Sequence, residues 1–280
     1  MNATDFHFYR YFLICQAQKS LFEIEEEDIK EKFKQIFIKN KKIKYPYNSK
    51  EYILYSVSDI NKDLFICKLS ISKKVTIHRE GERDINNDRE TDHPYVHIVI
   101  NTHKQIILIQ KNTSVFKDTN VVKNRITEII NKIIQEFNYL IKIEAIVDKD
   151  HFWSTVSSAK QIYSLNLKLN APNLFGARVK ANEFMKEQKK TYNLNVLEFK
   201  FSNESGDLYL SKDALDDFIE YASEGGGSYR LLYNDGKTNK IATSTNANKK
   251  ILLPQELTPE DYETILSEMN RIDTLRDQNE

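Results

Sequence analysis

The sequence is poor in the residues that break or staple chains. Its 280 residues include only seven glycines and five prolines, and no internal repeat or low-complexity stretch occurs beyond short Asn-rich and Lys-rich patches. Only two cysteines occur, Cys15 and Cys67, each inside an apolar run (YFLICQA and LFICKLS) where a thiol behaves as a small hydrophobe. Two such cysteines do not make a disulfide framework, and a reducing, cytoplasmic compartment is the expected location. No window approaches the roughly 18 apolar residues of a membrane-spanning helix. The amino-terminal MNATDFHFYRYFLICQAQ also lacks the basic-then-apolar order of a signal peptide. An excess of one charge sign is missing as well. The 41 basic residues balance 41 acidic ones, so any electrostatic role has to come from local clustering.

What is present is a hydrophobic complement of 40%, enough for real cores in a chain long enough for two domains. Phe6 to Ala17 is aromatic and β-branched with imperfect alternation, which reads as a first strand. Glu23 to Ile38 follows helical spacing, with acidic residues in its first turn and lysines toward its end. Tyr52 to Val57 and Leu64 to Ile71 read as a hairpin, and so do Tyr95 to Ile100 and Gln105 to Gln110. Residues 73 to 93 carry many charges and few core candidates, which predicts an exposed loop. Val121 to Phe137 forms an apolar helical face, and Leu140 to Val147 reads as a returning strand. One antiparallel sheet with helices accounts for a first domain over residues 1–150, completed by a helix over 256–276.

The second part has a simpler rhythm. Strand Ile162 to Leu169, helix Gly176 to Tyr192, strand Val196 to Phe201, helix Lys212 to Ala222 and strand Ser228 to Tyr233 follow in turn, with a last strand at Lys250 to Leu253. Pro172 and Gly176 punctuate the first connection, and Ser211 stands where an N-cap belongs. The reading is therefore α+β throughout: an N-terminal antiparallel sheet with helices, a β-α-β-α-β unit over 151–255, and a C-terminal helix. Thr258-Pro259-Glu260-Asp261 is the start signal of that last helix.

Chemistry-bearing patterns are sparse. Glu198-Phe199-Lys200 puts a carboxylate and an ammonium on one face of a strand, the E-x-K step that Mg²⁺-dependent nucleases use with an upstream acid. Here that acid would be Glu183 or Glu187, which fall on a predicted helix, and charge alternating with Leu197, Phe199 and Phe201 is also what any half-exposed strand carries. His93, His97 and His103 with Cys67 offer zinc-type donors, but at no compact zinc spacing. A nucleophilic cysteine fits neither Cys15 nor Cys67, because apolar surroundings raise a thiol pKa. Gly225-Gly226-Gly227-Ser228 could cradle a phosphate beside Arg230, yet it follows a helix and lacks a P-loop ending, so a helix C-cap is the simpler reading. No metal ligand set or cofactor motif emerges.

The basic residues of the second part form the fuller pattern. Arg178, Lys180, Lys186, Lys189 and Lys190 lie on one predicted helix. Arg230, Lys237, Lys240, Lys249 and Lys250 gather around the last strands, with the polar loop Thr238 to Asn248 between them. Such groups suit backbone phosphates, although Glu183 and Glu187 can equally pair with the helix lysines on a solvated face. Lys32 to Lys50, with Tyr45 and Tyr47, is a second basic cluster that suits the end of the first helix.

Several segments carry a resemblance in layout. They are the aromatic opening Phe8-Tyr9-Arg10-Tyr11, the hairpins over Glu51 to Ile71 and Tyr95 to Gln110, the strand Ile141 to Ile146, and the module opening Leu165-Asn166-Leu167-Lys168-Leu169. Their order and spacing resemble the RexA-type abortive-infection proteins of temperate phages and, more loosely, bacterial phage-defence proteins. The resemblance implies a globular domain joined to a smaller mobile domain, a homodimer and sequence-independent binding of double-stranded DNA, and it brings no catalytic residues. The glycine run and the acidic carboxyl end depart from that pattern. The expectation is a non-enzymatic DNA-binding protein of phage defence, with Asp148 to His151 and the glycine turn as hinges. The rivals are an Mg²⁺-dependent nuclease at Glu198 and Lys200, and an interaction protein that senses phage and couples to a membrane effector protein.

Overall fold

A computed structural model of the chain describes residues 3–16, 26–38, 40–80, 84–170 and 180–277. The elements in order are β1 (Ala3–Cys15), α1 (Glu26–Gln35), β2 (Lys42–Tyr47), β3 (Lys50–Asn61), β4 (Leu64–Ile71), β5 (Lys73–Glu80) and β6 (Ile85–Asp92). Next come β7 (Tyr95–Asn101), β8 (Ile106–Gln110), α2 (Thr119–Ile134), β9 (Tyr139–Ala145), α3 (Lys149–Ser158), β10 (Gln161–Asn170) and α4 (Lys180–Tyr192). The chain continues through β11 (Val196–Ser202), α5 (Lys212–Tyr221), β12 (Gly227–Asn234), β13 (Asn239–Thr243), β14 (Lys250–Pro254) and α6 (Tyr262–Asp277).

The protein is α+β, with an eight-stranded antiparallel sheet ordered β14-β1-β8-β7-β4-β3-β2, in which β9 also pairs with β1. Strand β1 is the organiser. One edge pairs with β8 from Phe6 to Arg10, while the other takes β14 along Ala3 to His7 and then β9 along Tyr9 to Cys15. Both faces of β1 are covered as well. Tyr9, Tyr11 and Leu13 pack with Phe33 of α1, with Phe37 just after that helix and with Ile126 and Ile130 of α2. Phe6 and Phe8 pack with Ile265 and Met269 of α6. Burial on both faces explains why β1 reads as a nearly continuous apolar run with blurred alternation. The 3-10 turn Pro259–Asp261 that leads into α6 begins as its sequence predicts, with a capping box between Thr258 and Asp261 and the proline at its start.

Four expectations change. Residues 73 to 93 contain the antiparallel ribbon β5–β6, in which Arg79 pairs across the strands with Glu90 and, at 3.5 Å, with Asp88. Its stabilising charges meet only after pairing, so the segment reads locally as a polar loop. The basic stretch after α1 is edge strand β2, where Pro46, which has no N–H to donate, is tolerated because the strand has a neighbour on one side only. Tyr47 of this strand stacks under the Arg125 guanidinium of α2 at 3.4 Å. The segment from Asp148 to His151 is the start of a helix: Asp148 accepts from the Asp150 amide at 3.0 Å and caps α3. Part of the polar loop after Thr238 is strand β13, and Lys250 to Pro254 joins β1 in the first sheet instead of closing the second.

The second sheet is four-stranded and antiparallel, ordered β11-β10-β12-β13. Its junction with the first is the glycine turn. Gly225 has φ +90°, and a Cβ there would stand 2.5 Å from the Arg10 Cβ on β1. A Cβ on Gly227 would stand 2.1 Å from the carbonyl oxygen of Lys168 on β10. Close approach on both sides therefore accounts for the glycine run, in line with the structural reading of it. Gly227→Ala should lower the unfolding free energy by more than about 2 kcal/mol through overpacking against backbone. Ser228→Ala, one residue on, should stay within about 0.5 kcal/mol. Urea denaturation of both variants checks this.

Candidate nucleic-acid interface

Alternation along β10 divides the second sheet into two unlike faces. Leu165, Leu167 and Leu169 are fully buried on the side where three helices pack. Phe199 of β11 meets Phe218 of α5 at 5.5 Å between ring centroids, Phe218 meets Phe184 of α4 at 5.6 Å, and Tyr229 of β12 meets Phe152 of α3 at 4.9 Å. In-register pairing then gathers the alternate residues on the opposite face: Ser164, Asn166 and Lys168 of β10, Glu198 and Lys200 of β11, Ser228 and Arg230 of β12, and Ile241 and Thr243 of β13. Lys168, Glu198, Lys200, Arg230 and Ile241 are exposed there.

Lys200, Asn166, Arg230 and Thr243 form one row across the four strands. Strand spacing puts Lys200 and Arg230 roughly 10 Å apart, with an amide between them. Lys168 sits in the next row of this face, beside Glu198 and Ser228. Glu198 is the single carboxylate among these residues, and it accepts from Asn166 Nδ2 at 2.7 Å. Lys168, Lys200 and Arg230 make no ion pair among the described residues. The face thus presents three uncommitted cations with hydroxyl and amide groups between them, a set that suits phosphate oxygens.

The ten basic residues expected from the sequence do not share one surface. Arg230 is on the open face. Lys186, Lys189 and Lys190 belong to α4, behind the opposite face; Lys180 begins α4, and Arg178 lies outside the described residues. Lys237 is in the β12–β13 turn, where its amide donates to Asp235 Oδ1 at 2.9 Å. Lys240 pairs with Asp235 at 2.5 Å, and this ammonium, with the Thr238 and Lys237 amides, holds the Asp235 carboxyl well below the usual range. Lys249 precedes β14 and Lys250 starts it, and Lys250 pairs with Asp5 at 3.0 Å. Lys168 lies outside the expected set, and Lys200 enters the sequence reading only as a catalytic candidate. The polar-apolar alternation of Ser164 to Leu169 is the signal for Lys168, and that of Val196 to Ser202 is the signal for Lys200.

Among the described residues the rival chemistries are not assembled. Glu198 and Lys200 do share a face, but α4 packs against the other one, which puts the sheet between them and Glu183 or Glu187. No group of three His, Cys, Asp or Glu side chains able to hold a metal occurs among the described residues. Cys67 and His97 sit on neighbouring strands with opposite orientation, since Lys68 is the residue paired with His97. Burial pushes the Cys67 thiol up to about 12, away from nucleophilic use. No helix among the described residues is long and apolar enough to cross a membrane. Comparison with known proteins finds no matching family and no curated protein of similar sequence.

His97 has a structural consequence instead. Its ring is 1% exposed, and burial, reinforced by Lys68, lowers its pKa below 6.5 despite Glu256 at 3.7 Å. Burial, then Lys111, likewise lowers His7. A histidine held neutral by the fold leaves stability intact above its unfolded pKa and costs stability as pH falls from there through its folded pKa. Unfolding free energy should therefore decline from about pH 7 to about pH 5. His97→Gln should make that decline shallower, with His7 supplying the remainder. Urea denaturation across this pH range measures both slopes.

Proposed function

We propose that the protein binds double-stranded DNA through its phosphate backbone, without sequence selection, using the open face of the four-stranded sheet. The observation that carries this reading is the set Lys168, Lys200 and Arg230 on one exposed face, with one carboxylate among them. Proteins that grip single strands add aromatic side chains for base stacking. Ser164, Asn166, Ser228 and Thr243 offer no such rings, so contacts to a duplex backbone fit this face better. Hydroxyl and amide groups on a sheet surface position phosphates and carry little base-edge information. The resemblance in layout to RexA-type proteins supports placing this binding in phage defence and supports a homodimer that presents two such faces. The reading includes no chemical step, because the acid that Glu198 and Lys200 would need lies across the sheet.

An electrophoretic mobility assay with duplex DNA tests the proposal. Retardation should weaken steeply between about 50 and 200 mM salt, and three phosphate contacts should give a slope of log affinity on log salt of about −2.7. Substituting Lys168, Lys200 and Arg230 together by Gln should abolish retardation at the higher salt and flatten the slope. Substituting Lys186, Lys189 and Lys190 should change little. Absence of retardation by the native protein, or an undiminished shift by the triple variant, contradicts the proposal.

A further inference from the structure

A cleft of about 800 Å³ lies where the glycine turn and α5 meet the first sheet. Its apolar floor is Phe8 of β1, Ile146 just after β9 and Ile272 of α6. Six cationic and four carboxylate side chains line the walls, an excess of two positive charges in a protein whose net charge is zero. Several of these charges are already engaged. Lys149 is held by Asp216 at 3.2 Å and Glu220 at 2.7 Å, and Lys250 by Asp5. Asp148 caps α3. Lys212, at the start of α5, has no carboxylate partner among the described residues and lies over the Trp153 ring at 5.9 Å. Lys249 likewise has no carboxylate partner among the described residues, and its backbone is fixed by bonds with Phe8 and Ile146.

A second observation concerns Ser223. It lines the same cleft, is 3% exposed, and its Oγ has no hydrogen-bond partner among the described residues. A buried hydroxyl without a partner is costly, and a ligand oxygen at this wall would satisfy it. We infer that this cleft binds a small phosphate-bearing molecule of the nucleotide class, with Lys212, Lys249 and the Ser223 hydroxyl receiving the phosphates. Its volume falls in the range of small-molecule sites. The floor of Phe8, Ile146 and Ile272 accepts a flat apolar ring, and the carboxylates of Asp150 and Glu220 accept from ribose hydroxyls. The site is separate from the open sheet face, and it reassigns Lys249 from duplex contact to a small ligand. It also bridges the first sheet, through Lys249, and α5, through Lys212.

Isothermal titration of the full chain with the four ribonucleoside triphosphates, the matching nucleosides and inorganic phosphate tests the inference. At least one triphosphate should bind, more tightly than its nucleoside and more tightly than phosphate alone. Lys212→Gln with Lys249→Gln should weaken it about tenfold or more, and Ser223→Ala about threefold, with the melting temperature of Ser223→Ala no lower than that of the native protein. Lys168→Gln with Lys200→Gln should leave nucleotide affinity unchanged, which keeps this test independent of duplex binding. No triphosphate binding, equal binding of nucleoside and triphosphate, or native affinity in the Lys212 and Lys249 double variant overturns the inference.

Discussion

Strand β1 commits the hydrogen bonds of both its edges and the side chains of both its faces. Where β14 ends and β9 begins on its second edge, the Phe8 amide donates to the Lys249 carbonyl at 3.0 Å, and the Phe8 carbonyl accepts from the Ile146 amide at 3.1 Å. The Lys249 amide closes the triangle onto the Ile146 carbonyl at 2.8 Å. A one-residue slip of β1 would move Phe6 and Phe8 off α6 and at the same time take Tyr9 and Tyr11 off α1 and α2. Arg10 carries the constraint onward, donating to the Glu224 carbonyl at 2.8 Å while its Cβ occupies the space that Gly225 leaves open. The position of the glycine turn, and with it the start of β12, follows from the register of β1.

Past that turn the second sheet is amphipathic in the plainest sense. Leucines on β10 and phenylalanines on β11 anchor the helices on one side, which commits every intervening residue to the other. This alternation turns an unremarkable set of lysines into two unrelated groups. The α4 lysines stand among Glu183 and Glu187 on a helix surface, whereas Lys168, Lys200 and Arg230 stand on a sheet with one carboxylate between them. Uncompensated cations on a rigid sheet are better placed for phosphate contacts than lysines interleaved with acids on one helix.

Most of the architecture was legible because its signals are local. The helical face of α2, the two hairpins of the first sheet and the capping box before α6 each announce themselves within a few residues. The ribbon β5–β6 was not legible, because charges such as Arg79 and Glu90 make sense only once they face each other. Strand β14 reads as the natural end of the second unit, yet the free edge of β1 next to β9 claims it, a tertiary choice with no local signature. The face that carries Lys168 was visible in the alternation of Ser164 to Leu169. The row of Lys200 and Arg230 on that face is not local, because it forms only once β10, β11 and β12 pair. The Ser223 hydroxyl had no signal at all, since its burial depends on how the glycine turn docks.

The most direct measurement is a lysine acylation footprint read by mass spectrometry, with and without duplex DNA. Binding through the open sheet face predicts that Lys168 and Lys200 lose reactivity on DNA addition while Lys186 and Lys190 of α4 keep theirs. Protection of the α4 lysines with Lys168 and Lys200 still reactive would contradict the account.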